Sequence, residues 1–243
     1  MTNTNRNALA AGLSLAVTPL VLQVPFGLLA AKYDYPDILL RDAGEVLTRF
    51  HDAGPGMVWT WWFYALCTLG LFVAALTVPD ALGMTGSAKK FSTATGLVAS
   101  FAQLLGLLRW VFVVPYLAQA WVEHAADQQT LRVVFETQHR LFGVLLGEHV
   151  GQLFMALWTA SVALHLANKV LRGLGLLSAA TLLLGLGAGL ARAVPMPALV
   201  THAPLIGFLA WVIWAVATGV VLLRTQLNTA AAQPLVAAGQ ATR

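Results

Sequence analysis

The sequence predicts an all-α fold: a polytopic membrane helical bundle of six transmembrane helices, with an external amphipathic helix after the first span. Three observations predict it. The chain has 243 residues, of which 58% are hydrophobic and only 10% charged, where a soluble domain carries about 25% charged residues. Mean hydropathy is +0.75. The apolar residues come in runs of roughly twenty or more, the length a helix needs to cross hydrocarbon. Between the runs lie short segments that hold nearly all the charges.

The first span is predicted over residues 8–31. It is too long for a signal-peptide core and shows no A-x-A site before Lys32, so it is expected to be retained. Pro19 and Pro25 are candidates to kink it. Gln23, between them, is expected to bond to helix backbone. Residues 32–54 follow, the most polar part of the body. Within them Leu39, Leu40, Ala43, Val46, Leu47 and Phe50 fall at helical spacing on one face. This segment is too short and too charged to span. It should lie on the membrane surface or cap the bundle, apolar face down.

The second span, 57–78, opens with Trp59, Trp61, Trp62 and Tyr64, which read as an interfacial aromatic belt. The segment from Pro79 to Lys90 reads as a loop. The third span, 91–117, contains Arg109, and 121–137 forms an external polar connection. The fourth span, 138–168, carries Gly143, Gly147 and Gly151 every four residues, a stripe that lets another helix approach at backbone distance. The fifth span, 174–194, repeats the spacing at Gly185 and Gly189. The sixth is 203–223. Residues 1–223 thus form a single domain, and the Ala- and Gln-rich tail, 224–243, is expected to be disordered.

Six spans put both termini on one side. Arg6, Lys89, Lys90, Lys169, Arg172, Arg224 and Arg243 lie there with Asp80. The opposite side mixes its cations with most of the acids. Lys89, Lys90, Lys169 and Arg172 abut span ends on short loops, so the termini are placed in the cytoplasm. No stretch concentrates basic residues, which excludes nucleic acid as a partner. The lone Cys67 excludes an intrachain disulfide and a cysteine-cluster metal site. No internal repeat supports an inverted-repeat transporter.

The candidate site is polar and sits inside the apolar spans. Arg109 comes late in an ascending third span and Glu148 early in a descending fourth, so the two fall at similar depth. An isolated charge there costs at least ~2.5 kcal/mol, which a facing opposite charge offsets. Arg109 is therefore paired with Glu148. Gln152 lies one turn from Glu148, His149 borders the pair, and Tyr116, seven after Arg109, shares its face.

No cofactor is predicted. His149 has no deep histidine partner for a bis-histidine haem. His139 with His202, both at outer span ends, is the remaining pair for a rim metal or haem. Neither H-E-x-x-H nor G-x-S-x-G occurs.

PDILLRDAGEVLTRF after the first span, LLGLLRWVFVVP in the third and HRLFGVLLGEHVGQLFMALWT in the fourth resemble a bacterial membrane family catalogued as domain of unknown function 4386. The likeness covers most of residues 8–223, and Arg109 fits its pattern. It implies a multi-span helical membrane domain in the cytoplasmic (inner) membrane and carries over no catalytic role.

Three functions remain open. One is binding or sensing of a small ligand or proton in an outward-facing polar pocket between the third and fourth spans, built from Arg109, Glu148, His149, Gln152 and Tyr116. The second is a structural or regulatory subunit of another membrane protein or a homo-oligomer, joined through glycine stripes, with the polar cluster only a helix clamp. The third is an intramembrane enzyme with Glu148 or His149 as acid or base.

The topology has a direct test. Reporter fusions at Lys89 and at Arg132 should report opposite sides, Lys89 cytoplasmic; the same side for both would refute the six-span arrangement.

Overall fold

The computed structural model describes residues 3–191 and 193–241, with side chains described for 6–191 and 193–225. The described residues contain helices and no strand. Six helical segments are long and apolar enough to cross a membrane: Arg6–Tyr33, Pro55–Ala81, Gly86–Val122, Gln128–Leu164, Lys169–Leu190 and Ala198–Thr225. The expected disordered tail falls mostly beyond the residues whose side chains are described.

The first span is one helix, α1 (Asn3–Tyr33), which runs through Pro19 and Pro25. Gln23 Nε2 donates to the Pro19 carbonyl at 3.1 Å, so its amide is bonded within its own helix. After α1 the chain makes a 3-10 turn, Asp37–Leu40, and enters α2 (Ala43–Asp52). Asp42 caps α2, its carboxylate accepting from Gly44 N at 2.8 Å. Of the predicted apolar face, Ala43, Val46, Leu47 and Phe50 are buried, whereas Leu40 is 76% exposed because it lies in the 3-10 turn, outside the α-helical register.

The second span bends where α3 (Pro55–Cys67) meets α4 (Leu69–Ala81) at buried Thr68, whose hydroxyl donates to Ala65 O at 2.6 Å. Pro79 lies inside α4, so the loop expected from Pro79 to Lys90 shrinks to the few residues before α5 (Gly86–Phe112). The third span then breaks at Val113 and resumes as α6 (Val114–Val122). Pro115 causes the break: it lacks an N–H and its ring crowds the carbonyl four residues back.

The fourth span is composite. It comprises α7 (Gln128–Gln138), capped by Asp127, then a π-helical segment, His139–Val150, then α8 (Gly151–Leu164). Most of the expected external connection is thus helical and runs without interruption into this span. The fifth is α9 (Lys169–Gly185) with a 3-10 end, Leu186–Leu190, and the sixth is α10 (Ala198–Ala241).

Each span packs against the next, and α10 returns to α1, so the six spans close a ring. Without a hydrophobic drive between helices in lipid, such packing depends on small residues. A Cβ on Gly219 would stand 2.5 Å from Ala16 N, joining the sixth span to the first. Gly96 receives the Trp158 indole and Gly175 the Trp214 indole. The fifth-span stripe is used inside the chain as well: Gly185 lies against Pro204 and Gly189 against Val144.

The core has two tiers. Leu15, Leu71, Val78, Trp158, Val162, Trp211 and Trp214 fill the tier nearer the termini. Tyr33, Val46, Phe50, Trp61, Trp110 and Phe135 fill the other, roofed by α2, which rests on α6. Tyr33 donates its hydroxyl to Val46 O at 3.0 Å, tying α1 to that roof. Arg132 of α7 bonds Asp42 and fastens the roof from the other side. That bond, with the cap, holds the Asp42 carboxyl below its ordinary value. The linkage stabilises the fold above the ordinary carboxylate range and is lost as pH falls through the folded value.

The close approaches predict a contrast. Gly219→Ala should destabilise the protein by about 1–3 kcal/mol, because backbone cannot yield as a side chain can. Gly27→Ala, where a Cβ meets nothing within 4 Å, should leave the melting temperature of the detergent-solubilised protein unchanged or raised. Equal melting for both variants would contradict the packing.

Candidate functional site

The site begins with Arg109 near the end of α5, a residue that is only 7% exposed. The fourth span makes room for it. A Cβ on Gly143 would stand 2.6 Å from Arg109 Nη2, so the cation occupies the volume a side chain would take. Toward the termini, Gly106 and Gly147 bring the two backbones together: a Cβ on Gly106 would lie 3.0 Å from the Gly147 Cα. Gly151 comes next, facing Gln103. The glycine stripe thus lies along the third span, and its first member is the notch for the cation.

Arg109 Nη1 donates to Gly106 O at 2.8 Å. Its Cζ lies 5.2 Å from the Trp110 ring centroid, within cation–π range. Its Nε–H has no partner within the described protein. The Glu148 carboxylate acts on Arg109 electrostatically. Both charges also act on Tyr35, in the turn after α1, where burial first and then Glu148 push the phenol up to about 12, against the pull of Arg109. Tyr35 therefore stays neutral near pH 7 and offers a hydroxyl rather than a charge.

The π segment sets the angular relation. Its i→i+5 hydrogen bonds place positions four and five apart near one line. Glu148, five after Gly143, falls on the side of the helix that receives Arg109. π segments of any length are rare and concentrate at functional sites, most being a single turn; this one spans 12 residues.

Glu148, His149 and Gln152 are all half-buried. With Gly185, Leu186, Ala188, Gly189 and Pro204 they wall a cavity of about 10 Å³. The cavity lies between the fourth, fifth and sixth spans, and Arg109 is not among its walls. Glu148 is the residue that belongs to both surroundings.

A family model described as domain of unknown function (DUF4386) matches residues 10–227. The chain belongs to this family. No curated protein and no solved structure matches it. The DUF4386 match begins within α1 and ends within α10, so it takes in every helix between them that builds the site.

The DUF4386 chain does not bring every predicted site residue together. Tyr116 is 75% exposed. Seven residues after Arg109, it would share the same face of an unbroken helix, but the break at Val113 resets the register. His139 is buried and stacked on Phe135, at 5.7 Å between centroids. His202 is exposed, with Nδ1 2.8 Å from Ala198 O in its own helix. Among the described residues no three His, Cys, Asp or Glu side chains group as a metal site requires.

The structure adds residues the sequence reading left elsewhere. Trp61 and Tyr64 are buried, and only Trp59 and Trp62 keep the exposure of a belt. Trp61 stacks on Trp110 at 4.7 Å and 10°, and Tyr35 meets Trp61 edge-on at 5.3 Å. This aromatic packing excludes water from one side of Arg109. The three-residue spacing of Trp61 and Tyr64, out of phase with Trp59 and Trp62, was the available signal.

Arg109 and Glu148 should show coupled energetics. Arg109→Leu and Glu148→Leu are each expected to lower stability, by about 3–5 kcal/mol if they behave as a buried soluble pair. The double change should recover part of that loss. Additive losses in thermal or denaturant unfolding would refute the coupling.

Proposed function

We propose that the polar cluster is a proton-binding site of a multi-pass membrane protein, centred on Glu148 and modulated by Arg109, His149 and Gln152. The observation that carries this reading is the size of the cavity. At about 10 Å³ it holds roughly one water molecule, which fits a proton with its water and is far below the ~300–1,000 Å³ of organic-ligand pockets. An acid, an imidazole and an amide around that volume are the groups that accept, pass and orient a proton.

The Arg109 cation and the Glu148 carboxylate act on each other electrostatically across the third and fourth spans. The role is that of a proton-responsive sensor or carrier facing the α2 side of the membrane, with the termini in the cytoplasm. The subunit reading loses its main argument, since Gly185 and Gly189 pack against residues of the same chain.

Infrared difference spectra of the purified protein in nanodiscs, taken between about pH 4 and pH 9, test the proposal. A protonated-carboxyl stretch should titrate in the wild type and vanish in Glu148→Gln. A spectrum unchanged by that substitution would overturn it.

A further inference from the structure

We infer that the seam between the second and third spans carries, on its membrane-facing side, a groove that holds one acyl chain of a bilayer lipid. This is independent of the proton-binding reading.

The third span makes its two seams from opposite materials. Toward the fourth span, Gly106 meets Gly147 and the backbones close on each other. Toward the second span, the contact is made by two buried indoles, Trp61 of α3 stacked on Trp110 of α5 at 4.7 Å and 10°. The distance between packed helices follows the size of the side chains at the contact. Two stacked indoles therefore keep α3 and α5 further apart than glycines would.

Outside the stack that separation is left unfilled. Val58, Trp59 and Trp62 of α3, with Val111 and Phe112 of α5, wall a cavity of about 350 Å³. Trp59 is 66% exposed and Phe112 70%. The cavity thus opens away from the core, on the outer face of two segments long and apolar enough to cross a membrane. The rings of Trp59 and Trp62 stand at 85° with 5.6 Å between centroids, so they form a corner rather than a flat wall. Trp59 lies four residues after Pro55, the first residue of α3, about 6 Å along the axis. The groove is therefore near the α2 end of the span.

The chemistry of the walls selects the occupant. Water does not fill an apolar cavity, and an empty one forfeits the contacts of every atom that lines it. In a bilayer the abundant filler is hydrocarbon. The polar side-chain atoms of the five wall residues are the two indole N–H groups. A charged head group has no counter-charge there, whereas a methylene chain needs no partner. The volume lies at the low end of sites for small organic molecules, so the groove takes a segment of one chain and leaves the head group outside.

A second copy of this chain is the rival occupant. Helices meet in membranes through small residues that bring backbones close. These walls are valine, tryptophan and phenylalanine, with no glycine or alanine among them. A flexible chain can follow such a corner where a rigid helix cannot.

Native mass spectra test the inference, on protein reconstituted in nanodiscs of dioleoylphosphatidylcholine and released into mild detergent. The wild type should keep one phosphatidylcholine per chain under activation that strips the others. Phe112→Ala removes an exposed wall without opening the core. It should reduce the one-lipid species about tenfold, equivalent to ~1.4 kcal/mol of affinity. Val111→Trp, which fills the groove, should reduce it at least as far. Leu177→Trp, at an exposed position of the fifth span, should leave it unchanged. If Val111→Trp fails to fold, Phe112→Ala decides by itself.

Equal retention in the wild type and Phe112→Ala would overturn the inference, as would the absence of a one-lipid species in the wild type. Protein extracted directly from its own membrane gives a second reading. One isoprenoid quinone or other ring lipid per chain, in place of a phospholipid, would refute the acyl chain as occupant. Ready disulfide-linked dimers of Phe112→Cys in a Cys67→Ala background, formed in the nanodiscs, would assign the groove to a second copy instead.

Discussion

The interior of the loop-side half depends on one cation placed in one glycine notch. Arg109 lies where a side chain at position 143 would be, and Gly106 meets Gly147 beside it. A guanidinium at that depth requires compensation. It receives a backbone carbonyl, an aromatic face and the field of Glu148. Each of these sits on an element whose position follows from the same close approach. If the third and fourth spans stood a side chain's width further apart, the carboxylate would be farther from the cation and Trp110 would leave the aromatic stack.

The roof made by α2 belongs to the same constraint. Phe50 from α2 and Tyr33 from the end of α1 both contact Trp110, at 5.9 Å between centroids in each case. Trp61 stacks on it as well, at 4.7 Å between centroids. The helix outside the spans therefore closes the water-facing end of the half that holds the cation. Salt bridges of Arg41 with Asp34 and Glu45, and of Arg49 with Glu45, lie on its exposed side. Being exposed and screened by solvent, they contribute little to stability. The apolar face and the aromatic contacts hold the roof in place.

The tier nearer the termini is built differently. There tryptophans enter glycine notches on neighbouring spans, Trp158 at Gly96 and Trp214 at Gly175, and among the described residues the buried charged side chain, Arg109, lies in the other tier. One half of the ring is thus an apolar lock and the other carries the polar residues. The site proposed above lies in the second of these halves.

The sequence by itself determined the number of spans, the amphipathic helix after the first, and the glycine stripe of the fourth as a helix-contact face. These follow from periodicity and composition, which are local. It also singled out Arg109, Glu148, His149 and Gln152, because polar groups stand out in apolar runs. The tertiary structure alone decided how they face. A π segment has no sequence signature as plain as a proline, yet it rotates Glu148 relative to Gly143. A break at Pro115 turns Tyr116 to the outside, although seven-residue spacing on an intact helix would have kept it with Arg109. Trp61 and Gln138 were hidden for the opposite reason. Aromatics and amides at span ends are ordinary interfacial residues, and only the tertiary packing shows that these two are buried.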